Sequence, residues 1–144
     1  MRNNIDKFDI LVGKILAELY GEFPIKCELE PERFGIKNAM REFLETIDGT
    51  MDDAKELTFF EATVSWLLEN EIMTAKNSGF GSYYDARLTM KGLKLLKSTP
   101  KSVDSDRKSI GESLKELSKA GANESLKTAV NALFSYGLSK IGLA

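Results

Sequence analysis

Apolar and polar positions alternate along this chain with two periods, and the changes of period mark its elements. From Asn4 to Tyr20, Phe8, Leu11, Val12, Ile15, Leu16 and Leu19 recur at steps of three and four. That spacing puts one apolar face on a helix, and Gly21 stands where a C-terminal cap is expected. After Phe23-Pro24 the period drops to two. Ile25, Cys27 and Leu29 alternate with Lys26, Glu28 and Glu30, which predicts a short half-buried strand with Cys27 facing inward. Pro31 to Gly35 reads as a turn. Helical spacing returns over 36–47 with Ile36, Met40, Phe43, Leu44 and Ile47, and Gly49 lies beyond the end.

A longer acidic connection is expected over Thr50 to Leu57. Thr58-Phe59-Phe60-Glu61 then matches the S/T-x-x-E capping box, in which threonine oxygen and glutamate carboxylate each satisfy an unpaired backbone N–H. The box predicts a helix beginning at Phe59, with Phe60, Val64, Leu67 and Leu68 as its apolar stripe and Trp66 on the flank. Ile72 to Lys76 suits a strand and Asn77 to Ser82 a glycine-bearing turn. Tyr83 to Thr89 suits a second strand, with Tyr84, Ala86 and Leu88 on one face.

Thr89 is placed to cap a helix from Met90 to Lys97, ahead of Pro100. Thr99 to Lys108 is polar and reads as a linker. A second capping box, Ser109-Ile110-Gly111-Glu112, opens a helix that Gly121 terminates. Asn123 opens a last one with Leu126, Val130, Leu133, Phe134, Leu138 and Ile141 in register. The expected organisation is a domain over 1–100, a linker over 101–108 and a C-terminal helical pair over 109–144.

Helix, strand, glycine-bearing turn, strand is the order of a recognition helix and its wing. The stretch Leu88-Thr89-Met90-Lys91-Gly92-Leu93-Lys94-Leu95-Leu96 resembles the step by which many winged-helix proteins leave their wing. The chain from about Asn4 to Pro100 therefore resembles a winged helix-turn-helix domain. The resemblance implies an α+β, mainly helical fold with a small antiparallel hairpin sheet, here extended by a C-terminal helical pair.

Composition narrows the chemistry. There is no histidine and a single cysteine, Cys27. The commonest general base, a Cys–His nucleophile pair, a zinc site and an internal disulfide are thereby excluded. We expect no enzyme, no cofactor and no metal site. Glu28, Glu30 and Glu32 read as solvent-facing carboxylates, and Gly79 and Gly81 as a hairpin turn without a following helix to receive a phosphate. No run of about 18 apolar residues or signal segment is present, so a cytoplasmic protein without integral membrane insertion is expected.

Charge is unevenly spread. Residues 1–75 hold 8 Lys and Arg against 16 Asp and Glu, residues 76–108 hold 8 against 3, and the remainder 4 against 3. Two binding surfaces follow from this asymmetry. The acidic one comprises Asp52, Asp53, Glu56, Glu61, Glu69 and Glu71. It lacks the Lys, Arg, Asn and Gln pattern of a DNA-reading helix and suits a basic protein partner, as in an immunity protein or antitoxin covering a nuclease-like toxin. The basic alternative comprises Lys76, Phe80, Tyr83, Arg87, Lys91 and Lys94, suited to DNA contact through the wing by a homodimer joined through residues 109–144.

Overall fold

In a computed structural model, residues 3–36, 51–79, 81–99 and 108–140 are described. Helix α1 (Asn4–Glu22) opens on Asn3, whose side chain accepts from the Asp6 N–H at 2.8 Å. It runs through Gly21 and stops at Phe23, beside the cis Phe23–Pro24 peptide, so Gly21 is a helical residue and not the expected cap. Strand β1 (Cys27–Leu29) and a 3-10 turn (Pro31–Phe34) follow. Ile36 is buried, and the rest of the helix expected over 36–47 lies outside the described residues.

Helix α2 (Met51–Glu69) begins well upstream of the capping box. Thr58 is an exposed residue in its middle, and most of the connection expected over Thr50 to Leu57 is helical. Lys55, Glu56 and Leu57 are good helix formers, and Leu57, buried, extends the Phe60, Val64, Leu67 stripe by one turn. Side-chain burial thus outweighs a local signal that carries about 1 kcal/mol. Strands β2 (Met73–Asn77) and β3 (Tyr83–Leu88) form the hairpin, with Gly79 and Gly81 at φ 88° and 89° in its turn. Phe80 lies outside the described residues.

The sheet is antiparallel in the order β1-β3-β2. Its register reveals an irregularity on β3. Cys27 and Leu29 pair with Ala86 and Tyr83, while Thr74 and Lys76 pair with Arg87 and Tyr84, so β3 carries one residue more than each neighbour. Asp85, at φ 54°, absorbs it as a bulge. The bulge reverses the phase of the strand's first half. Tyr83, Ala86 and Leu88 are buried and Tyr84 is exposed, where strict alternation had put Tyr84 inside.

Helix α3 (Met90–Lys97) starts on Thr89, whose hydroxyl accepts from the Gly92 N–H at 3.0 Å, as its sequence predicts. Helices α4 (Ile110–Ala120) and α5 (Asn123–Lys140) complete the chain. Ser109 caps α4 through the Glu112 N–H, and Gly121 ends it at φ 69°. The Ile110 N–H donates to the Ser98 carbonyl at 2.9 Å, bringing the start of α4 beside the end of α3.

Both C-terminal helices lie on α1. Ile110, Leu114, Leu126, Val130 and Leu133 belong to the same buried cluster as Val12, Ile15, Leu16 and Leu19, and as Phe60, Val64 and Leu67 from α2. A Cβ on Gly13 would stand 2.7 Å from the Leu126 side chain, so α1 and α5 approach closely there. The chain is a mainly helical α+β protein with, among the described residues, five α-helices and a three-stranded sheet. No described helix is long and apolar enough to cross a membrane.

Candidate functional site

Among the described side chains of α2, Glu56 stands apart from Glu61 and Glu69 in having a cation beside it. Asp52 and Asp53 fall in its first turn. Glu56 is bound by Lys7 of α1 at 3.1 Å, and that ammonium also stands over the Phe59 ring at 5.1 Å, so its charge is answered within the chain. Glu61 and Glu69 are two helical steps of four apart with Ser65 between them, which aligns the three as one ridge. The Ser65 hydroxyl donates to Glu69 at 3.4 Å, and among the described residues no cation pairs with Glu61, Glu69 or Glu71.

Glu61 is the half-buried end of this ridge. Its carbonyl oxygen accepts from the Tyr83 hydroxyl at 3.3 Å. Burial, and then the Glu61 charge, raise the Tyr83 phenol above its ordinary range, so it stays protonated. Glu71 lies past the helix at φ 59°, where its N–H reaches the Leu68 carbonyl at 3.0 Å.

Two of the four basic residues, Lys76 and Lys91, have partners within the chain. Lys76 is 3.6 Å from Asp85 and stands over the exposed Tyr84 ring at 5.9 Å. Lys91 donates to the Asn70 carbonyl at 3.1 Å, clamping α3 to the end of α2. Arg87 is half-buried in a groove with Phe23, Pro24, Thr74 and the exposed Met90. Lys94 faces solvent. Tyr83, expected as a stacking aromatic, is 4% exposed, because the bulge turns it inward, and Tyr84 takes the outer position.

Cys27 is half-buried, not enclosed. Burial first, then Glu18 and Glu22, push its thiol up, with Arg33 acting in the opposite sense. A thiol held protonated is a poor nucleophile, which fits a packing role. Ile25, expected to share its inward face, is exposed because the strand begins two residues later.

One constellation escaped the sequence reading. Asp9 sits on the apolar face of α1 and is only 4% exposed. It lines a cleft of about 470 Å³ between α1, α2, α3 and α5. Phe8, Trp66 and Phe134 wall that cleft as a triangle of rings, with centroids 5.1 Å apart for Phe8–Trp66, 5.7 Å for Trp66–Phe134 and 6.5 Å for Phe8–Phe134. The available signal was a carboxylate in apolar register: Asp9 lies four residues after Ile5 and seven before Leu16, which line the same cleft.

Burial, and then the charge of Asp6, raise the Asp9 carboxyl above its ordinary value of 3.8, against a lowering by Lys127. Lys127 is itself held by Glu124 at 3.2 Å and Asp6 at 3.5 Å. Between 3.8 and the raised folded value the native chain binds more protons than the unfolded one. Stability therefore falls as pH rises through that window and stays lower above it. Asp9→Asn should remove the penalty. Its melting temperature should exceed the parent's at neutral pH, by on the order of 1 kcal/mol of stability, and the gain should shrink toward pH 3. A variant less stable than the parent at pH 7 would mean that Asp9 is satisfied.

Among the described residues no group of three or more His, Cys, Asp and Glu is placed to hold a metal ion. Compared with family models, with curated proteins and with solved structures, the chain finds no match.

Proposed function

We propose that this chain is a non-catalytic winged-helix protein that binds another protein of basic surface through α2, in the manner of an immunity protein or antitoxin covering a nuclease-like toxin. The winged-helix reading is supported by the sheet order β1-β3-β2, with the long helix α2 leading directly into the β2–β3 hairpin. The observation that carries the binding reading is the Glu61–Ser65–Glu69 ridge. Its carboxylates have no cation among the described residues, whereas Glu56 nearby has Lys7. An uncompensated acidic ridge repels the phosphates of a duplex and attracts lysine and arginine.

The test uses the tagged full-length chain in lysate of its native host, divided into nuclease-treated and untreated halves. A stoichiometric protein should be retained after nuclease. Its affinity should fall at least about tenfold, ~1.4 kcal/mol, for Glu61→Lys with Glu69→Lys. Retention unchanged by the double reversal would remove α2 as the docking surface.

A second reading, a DNA-binding regulator docking through the hairpin, is favoured by the exposed Lys76 and Tyr84 lying side by side. It requires the opposite outcome: co-purified DNA, lost with Lys76→Ala and Arg87→Ala and kept or strengthened by the Glu reversals.

A further inference from the structure

The cleft between α1, α2, α3 and α5 has the three features of a small-ligand site, none of them on the acidic ridge. Its size, about 470 Å³, lies within the roughly 300–1,000 Å³ range of pockets that hold small organic molecules. Its lining is predominantly apolar, and its aromatic wall is already assembled by ring contacts between α1, α2 and α5. Its polar groups are few, and one is unusual. Asp9 has neither hydrogen bond nor ion pair among the described residues. Its oxygens are nonetheless not sealed into the protein, since no described polar side-chain atom is fully enclosed without a partner. Asp9 is at the same time one of the residues that line the cleft.

A carboxylate in such a place destabilises the fold, as the pH argument above describes, and gains most from a cation that brings its own N–H donors. Lys127, the cation whose charge acts on Asp9, is already engaged by Asp6 and Glu124. Lys91, on the cleft wall, is held by the Asn70 carbonyl. A single carboxylate among aromatic and aliphatic side chains does not meet the oxygen-ligand demand of a hard metal ion. It does suit an ammonium attached to an apolar body, the nitrogen on Asp9 and the body against the wall that Phe8, Trp66 and Phe134 form, whose rings also attract positive charge.

We propose that the chain binds a small hydrophobic amine in this cleft, through a salt bridge to Asp9 and aromatic packing on Trp66 and Phe134.

Trp66 is the chain's only tryptophan and reports on the cleft directly. The full-length protein is titrated, with its emission recorded, using 4-phenylbutylamine, the uncharged 4-phenylbutan-1-ol and the anionic 5-phenylpentanoate. The amine should give a saturable change with a Kd at least tenfold below that of the alcohol, and the carboxylate none over the same range. Asp9→Asn should bring amine and alcohol within about threefold of each other and leave alcohol binding as it was. Phe134→Ala should weaken both alike. Equal binding of amine and alcohol by the parent chain, or no saturable response to the amine, would overturn the proposal whatever the variants do. Amine preference surviving in a folded Asp9→Asn would overturn the assignment of Asp9.

Discussion

Replacing Gly92 by alanine is expected to destabilise the chain by about 3 kcal/mol or more, lowering its melting temperature by roughly 6–12 °C. Local preference points the other way, since alanine in place of glycine inside a helix gains about 1 kcal/mol. What decides the sign is the neighbour. A Cβ at this position would stand 2.1 Å from the Ile72 carbonyl oxygen, a backbone atom that cannot rotate aside. That carbonyl also accepts from the Thr89 N–H and hydroxyl, each at 3.1 Å, and the same hydroxyl reaches the Glu71 carbonyl at 2.5 Å. Room for the methyl requires parting α3 from the start of β2 and straining these bonds together. Urea unfolding of Gly92→Ala beside the parent measures the loss. A midpoint equal to or above the parent's would show that α3 does not approach Ile72 this closely.

Phe60→Ala is expected to cost about 3–5 kcal/mol, through lost burial and the cavity left behind. Phe60 is fully buried, with its ring 5.7 Å from Phe34 and 6.2 Å from Tyr83, so it joins α2 to the 3-10 turn and to β3. Its neighbour is the control. Phe59 is half-buried beneath the Lys7 ammonium, and Phe59→Ala should cost no more than about 1 kcal/mol. Comparable losses at both positions would contradict the rotational setting of α2. The substitution also bears on the acidic ridge, because Tyr83, which packs on Phe60, donates to the Glu61 carbonyl.

Signals confined to a few residues were legible where nothing longer-ranged competed. Thr89 and Ser109 cap the helices they precede, and Gly121 ends α4 in the left-handed region, because each satisfies orphan backbone groups within its own turn. The Thr58 box failed for the converse reason. Upstream residues were helix formers and Leu57 had a place in the core, so the helix propagated past an available start. Cys27 kept its packing character, but Ile25 was left outside when β1 proved only three residues long.

The candidate surfaces were legible as charge and not as geometry. Formal charge counts Glu56 with Glu61 and Glu69, yet Lys7, some fifty positions away in the chain, neutralises the first and not the others. Lys91 likewise counts toward the basic surface by charge, and its ammonium also donates to the Asn70 carbonyl at the end of α2. Pairing of side chains distant in sequence depends on how helices are rotated and packed, which apolar period alone leaves open.

By itself, then, the sequence determined the fold class, the hairpin and, among the described residues, the order of elements and most helix ends. These depend on periodicity and on backbone chemistry within a turn or two. Only the tertiary structure decided which tyrosine faces out, since one extra residue at Asp85 inverts a period-two pattern without altering composition. It alone brought Asp9, Trp66 and Phe134, from three separate helices, around one cleft. It also laid the C-terminal helices on α1, where Gly13 leaves space for Leu126. Close packing of complementary shapes is a property of two surfaces at once, and neither surface states it alone.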